Sequence, residues 1–154
     1  MLIEDKLKNL GLTLPVAPSA LATYVAVQRS NNLLFVSGQL PFEEGKLNPI
    51  GKVGTDVSIE EAIIGAQNCA LNSIAQLKEY IKDLSLIGGV VKLTVFVAVA
   101  NNFYDIAKVA NGASDLFVQL WEEKGKHARS AVGVAALPLN AAVEVETIFN
   151  IKEK

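Results

Sequence analysis

Residues 127–149 read HARSAVGVAALPLNAAVEVETIF, and no other stretch says as much about how the chain is built. Two strand-like segments, Arg129 to Ala135 and Val143 to Phe149, flank a turn containing Leu137, Pro138 and Asn140. Side chains alternate across a strand. The first segment therefore sets Arg129, Ala131, Gly133 and Ala135 on one face, with Ser130, Val132 and Val134 on the other. Apart from Arg129, the first face carries only small groups, so an always-charged guanidinium stands beside open space. Its planar donors suit a carboxylate or phosphate held by two parallel bonds. The second segment sets Val143, Val145, Thr147 and Phe149 against Glu144, Glu146 and Ile148, so its two carboxylates share a face. Two readings follow: a half-buried hairpin with a surface salt bridge, or an anion site with a carboxylate nearby.

Upstream of this stretch the pattern alternates between strands and helices. Residues Val90 to Val99 (VVKLTVFVAV) form the clearest strand, β-branched and apolar on both faces. A helix follows, capped by Asn101 or Asn102, with Asp105 near its first turn. Phe103, Ile106, Val109, Ala110, Ala113, Phe117, Leu120 and Trp121 lie along one side. An earlier helix opens at Ser58, whose capping box is completed by Glu61 three residues on. Its apolar face is Ile63, Ala66, Ala70, Ile74, Leu77 and Ile81. Cys69 lies beside that stripe and reads as a small buried residue, because no basic group is near it in sequence to activate a thiolate. Thr23 to Arg29 and Leu33 to Ser37 form two strands around a turn at Ser30 to Asn32. Residues 42 to 57 read as a glycine-containing loop with a short strand at Lys52-Val53, and they lack a phosphate-cradling glycine pattern. Leu2, Ile3, Leu7 and Leu10 mark a short N-terminal helix ended by Gly11, so residues 1–14 form a helical extension ahead of one domain spanning 1–154. Helices on one face of a mixed sheet make an α+β sandwich.

Composition narrows the function. The 154 residues suffice for one sizeable core, and the mean hydropathy of +0.33 with 51 % hydrophobic residues points to apolar surface shared between subunits. A net charge of -2 and the absence of a basic run offer no track for a nucleic-acid backbone, which argues against nucleic acid as a partner. One Cys and one His cannot furnish a structural zinc site or an internal disulfide. The apolar window Leu84 to Ala100 is interrupted by Gly88, Gly89 and Lys92 and is short for a bilayer span. The N-terminus lacks a secretory pattern. The expectation is a soluble cytoplasmic protein without a membrane segment.

The segment ARSAVGVAALP followed by VEVETI resembles the C-terminal signature of the YjgF/RidA family, long labelled endoribonuclease L-PSP. SGQLP at 37–41, YVAV at 24–27 and TVFVAVANNF at 94–103 resemble further motifs of that family, so the likeness spans about residues 15 to 151. The resemblance implies a chorismate-mutase-like α+β domain with two long helices on one face of a mixed sheet, assembled as a homotrimer with ligand clefts between subunits. It implies that Arg129 binds a substrate carboxylate and that Glu144 positions or activates water. It also implies that Tyr24, Ser37, Gly38, Asn101 and Ala131 line the site, without a metal or organic cofactor. The activity implied is hydrolysis of reactive enamines and imines, such as 2-aminoacrylate, to a 2-oxo acid and ammonia. Two departures stand out. Ala131 occupies a position where many members carry Cys, which excludes a cysteine nucleophile there, and Ala26 replaces the usual Gln after the family tyrosine. His127 reads as a residue at the start of a strand making an ordinary surface hydrogen bond. The competing functions are a non-catalytic binder of small carboxylates or regulatory trimer, and an endoribonuclease, which this acidic chain supports least.

Overall fold

The computed structural model describes residues 1–20 and 22–152. In chain order the elements are α1 (Ile3–Asn9), β1 (Val27–Ser30), β2 (Leu33–Gln39), β3 (Phe42–Glu43), β4 (Lys46–Leu47), α2 (Ile59–Ile81), β5 (Ile87–Ala98), α3 (Ile106–Trp121), β6 (Ala128–Val134) and β7 (Val143–Ile151). The main sheet runs β1-β2-β7-β5-β6, and β3 and β4 pair separately. All its pairings are antiparallel except β5 with β6, which are parallel and joined by α3. A parallel pair needs such a crossover, because a tight turn can only reverse the chain. The architecture is the expected mixed sheet with helices on one side.

Alternation along the strands separates the two faces. Leu34 and Val36 of β2, Leu93, Val95 and Val97 of β5, and Val143, Val145 and Phe149 of β7 are buried beneath the helices. The helices supply Ala66, Ala70, Ile74 and Leu77 from α2, and Val109, Ala113, Phe117 and Leu120 from α3. Phe117 and Phe149 meet edge to face with centroids 5.5 Å apart. The two helices approach closely at Gly112, where a Cβ would overlap the Ile63 carbonyl oxygen. The opposite sheet face, carrying Phe35, Lys92, Thr94, Phe96, Glu144, Glu146 and Ile148, has no layer over it among the described residues, and Phe35 is 40 % exposed. Helix α1 seats Ile3 and Leu7 and is tied by Glu4 to Lys78 of α2 (2.6 Å) and by Lys6 to Glu122 (2.7 Å).

Several sequence expectations require correction. Residues 127–149 do not form a hairpin. Strand β5 lies between β6 and β7, because the α3 crossover sets β6 parallel to β5 and leaves the other side of β5 for β7. The connection turns at Pro138–Asn140, with Leu139 and Asn140 at φ 57 and 60, and passes the end of β5 through a bond from Ala98 N–H to the Ala142 carbonyl. Strand β1 begins at Val27, four residues later than Thr23. The loop of residues 42–57 contains the β3–β4 pair, and Lys52-Val53 reduces to single bridges from Val53 to Val57 and Val99. Asn101 and Asn102 form a turn ahead of α3, whose N-cap Asp105 makes no side-chain capping bond and pairs instead with Lys108 at 3.2 Å. Leu2 and Leu10 are exposed. The capping box at Ser58 and Glu61 is present in both directions, at 3.1 and 2.8 Å.

Candidate functional site

Strand register decides what can meet what. Arg129 pairs with Leu93 and shares its face, on the helix side of the edge strand β6. Glu144 pairs with Phe96, on the uncovered side. Their partners on β5 are three residues apart, which is about 10 Å of strand. The two side chains therefore project from opposite faces, and one chain does not bring them to a common ligand. The candidate residues fall into two groups.

The first group surrounds Glu144. Its side chain lies across Gly38, where any Cβ would overlap the carboxylate. Gly38 is placed there by a bulge in β2, whose register with β7 shifts between Val36 and Gln39. The resemblance implies that Gly38 lines the site, and the role visible here is a seat for Glu144. Burial, and secondarily the neighbouring Glu146 charge, raise the Glu144 carboxyl above its ordinary value. It forms no ion pair among the described residues. Ser37 donates its hydroxyl to the Val25 carbonyl at 2.7 Å, which ties down the segment carrying Tyr24 and leaves the Ser37 oxygen able to accept. Tyr24 is 48 % exposed. Beside this group, Gln28, Phe35, Ser37, Lys92, Thr94 and Glu146 line part of a depression of about 230 Å³. Lys92, at one side of it, donates to the Ser130 hydroxyl of the neighbouring strand β6 at 3.0 Å.

The second group surrounds Arg129. Both bonds of its guanidinium leave from Nη1, to Asn111 Oδ1 at 2.8 Å and Ser114 Oγ at 3.0 Å. Nε and Nη2, the pair that makes a side-on bidentate grip, have no partner among the described residues. Ala131 packs against the core from the same face, and Asn101 is exposed beyond the end of β5. His127 is more than a surface hydrogen-bonding residue: it is half-buried, contacts Ser114 and stands edge-on to Phe117. Asn111 and Ser114 escaped the sequence reading. Their only signal is a polar pair three residues apart on the flank of an apolar helix face, a pattern most surface helices show. Cys69 is fully buried beneath Val143, and burial pushes its thiol well up, so it is no nucleophile.

A five-stranded mixed sheet with two long helices on one face and the other face bare defines a chorismate-mutase-like α+β protein. The chain belongs to the YjgF/RidA family: the family described as "YjgF/chorismate mutase-like, putative endoribonuclease" matches residues 4–151. It is 41 % identical to Protein TCP17 of Trypanosoma cruzi over 97 % of this chain and 94 % of that protein. It is 32 % identical to the 2-iminobutanoate/2-iminopropanoate deaminase of Escherichia coli K12, over 86 % of this chain and 90 % of the enzyme. A crystal structure of a protein of unknown function from Agrobacterium tumefaciens superposes with a TM-score of 0.92 at 49 % identity, covering 97 % of this chain and 92 % of the other. Among the described residues no helix is long and apolar enough to cross a membrane.

Proposed function

We propose that this protein hydrolyses small 2-imino acids, and the enamines that tautomerise to them, to 2-oxo acids and ammonia, in clefts between the subunits of a homotrimer. The observation that carries the reading is the Arg129 guanidinium, held through Nη1 with its Nε and Nη2 edge unoccupied. That edge matches the carboxylate of a 2-imino acid, and each charge-assisted bond is worth about 1.5–3 kcal/mol. The family membership and the printed activity of the Escherichia coli relative support the same chemistry.

In this mechanism Arg129 of one subunit fixes the carboxylate and presents the C=N carbon to Glu144 of a neighbour. Glu144 accepts a proton as water adds to that carbon, giving a carbinolamine. Glu144 returns that proton to the nitrogen, then takes the proton of the new hydroxyl and delivers it to the same nitrogen as the C–N bond breaks with its electron pair on nitrogen, so that the carbonyl forms and ammonia leaves. A carboxylate whose affinity for protons is raised suits this double role, since it must take a proton from water and return it. This reading calls for a second subunit at each site, because Arg129 and Glu144 face opposite ways within one chain.

The test supplies enzymatically generated 2-imino acids and measures ammonia and 2-oxo acid. Arg129→Ala is expected to lower kcat/KM by about 10²-fold or more, at about 1.4 kcal/mol per tenfold. Arg129→Lys should recover little, because an ammonium lacks the planar fork. Hydrolysis by Arg129→Ala at the parent rate would remove the proposed anchor.

A further inference from the structure

Arg129 is held by more than its own strand. Helix α3 offers it Asn111 and Ser114, and Ser114 has a second neighbour, His127 Nε2 at 3.0 Å. The other ring nitrogen, Nδ1, lies 2.7 Å from the Gly125 carbonyl oxygen. That carbonyl can only accept, so Nδ1 carries the proton and Nε2 of the neutral ring is an acceptor. The Ser114 hydroxyl must then donate to Nε2, which turns its lone pairs to Arg129. The direction of every bond follows: Arg129 donates to Ser114, Ser114 to His127, and His127 to the Gly125 carbonyl. The imidazole is itself fixed by Phe117, with ring centroids 6.2 Å apart and planes at 90°.

We propose that Ser114 is a positioning residue for Arg129, and that His127 sets the direction of the Ser114 hydroxyl. The relay turns Nη1 onto α3 before any ligand arrives and so presents the Nε and Nη2 edge ready-made. A long arginine otherwise loses its rotamer freedom at the moment of binding, which weakens the complex. The proposal rests on the reading of Arg129 as the carboxylate anchor, but its test does not need turnover.

The chain has one histidine and two arginines, Arg29 and Arg129, so nuclear magnetic resonance of nitrogen-labelled protein resolves each group. Arg29 is the internal control: it is exposed and, among the described residues, donates only from Nε, to the Asn31 carbonyl at 2.7 Å. In the parent protein, rotation about the Nε–Cζ bond should be slow in Arg129 and fast in Arg29, and His127 should carry its proton on Nδ1. Ser114→Ala is expected to speed the Arg129 rotation and to weaken binding of a simple 2-oxo acid, pyruvate, on the order of fivefold. Ser114→Thr, which keeps the hydroxyl, should preserve both. His127→Phe, which keeps a ring against Phe117 but no acceptor, should speed the rotation part-way. Fast rotation of Arg129 in the parent, a proton on Nε2, or a Ser114→Ala variant with unchanged rotation would overturn the relay. If the relay behaves as expected while the parent releases no 2-oxo acid from imines, the positioning role stands and the deaminase reading fails.

Discussion

Glu144 and Glu146 stand two residues apart on one face of β7, yet only Glu144 is drawn into the body of the molecule. Burial is the larger cause of its raised proton affinity, and the Glu146 charge is the smaller one. A base must be ionised to act, so the proposed activity should fall as pH drops through the Glu144 value, which burial and the Glu146 charge hold above its ordinary one. Glu146→Gln removes a negative neighbour, makes the charged form of Glu144 easier to reach, and should move this acid limb to lower pH. Because Glu146 is exposed, the displacement should shrink as salt is added. A pH–rate profile of kcat/KM in the parent and the variant, at low and high ionic strength, measures it. An unmoved limb at low salt would mean that Glu144 is not the titrating base. Alternation alone makes Arg129 conspicuous, as the one large charge on a face of Ala and Gly. It cannot rank Glu144 above Glu146, since both carboxylates satisfy the same period; what distinguishes them is the depth of burial, set by strands far away in sequence.

The bulge in β2 shows how an element converts a motif into a site. Its irregularity between Val36 and Gln39 brings Gly38 beneath the Glu144 side chain, and the missing Cβ is the space that the carboxylate occupies. Gly38→Ala should therefore displace the end of a flexible side chain and leave the fold almost intact. The expected result is an unchanged thermal midpoint with turnover lower by about 10²-fold, the scale that a 1 Å misplacement of a reacting group costs. Loss of folding instead would show that the backbone, and not Glu144, gives way. Most elements were legible, because α2, α3, β5 and β7 carry strong periodicity and Ser58 with Glu61 marks a helix start. Pairing order was not. Residues 127–149 have the local pattern of a hairpin, and only the crossover through α3 makes β5 the strand between them. The turn at Asn101 and Asn102 was misread for a related reason: both are good cap residues, but the chain makes a left-handed turn at Asn102, at φ 63, before α3 begins.

For the molecule as a whole, the bare sheet face and the opposed directions of Arg129 and Glu144 lead to the same requirement, a second copy of the chain. Phe35, on a strand whose other face buries Leu34 and Val36, is 40 % exposed, and Val132 on the edge strand β6 is 41 % exposed. On the trimer reading, sedimentation should give about three times the 16.4 kDa of one chain. A stronger test asks which subunit supplies which residue. Arg129→Ala and Glu144→Gln subunits, each inactive alone, are unfolded together and refolded as mixed rings. If a site takes Arg129 from one subunit and Glu144 from its neighbour, a site is whole when an intact arginine faces an intact carboxylate. With equal amounts and random assembly around a ring of head-to-tail contacts, about a quarter of the sites are whole. Activity should return to about that fraction of the parent's, from two preparations that have none. If each site were built within one chain, no mixture would contain a complete one, and the mixed rings would stay inactive. Recovery of ring size without recovery of activity would thus retain the trimer and reject the shared cleft.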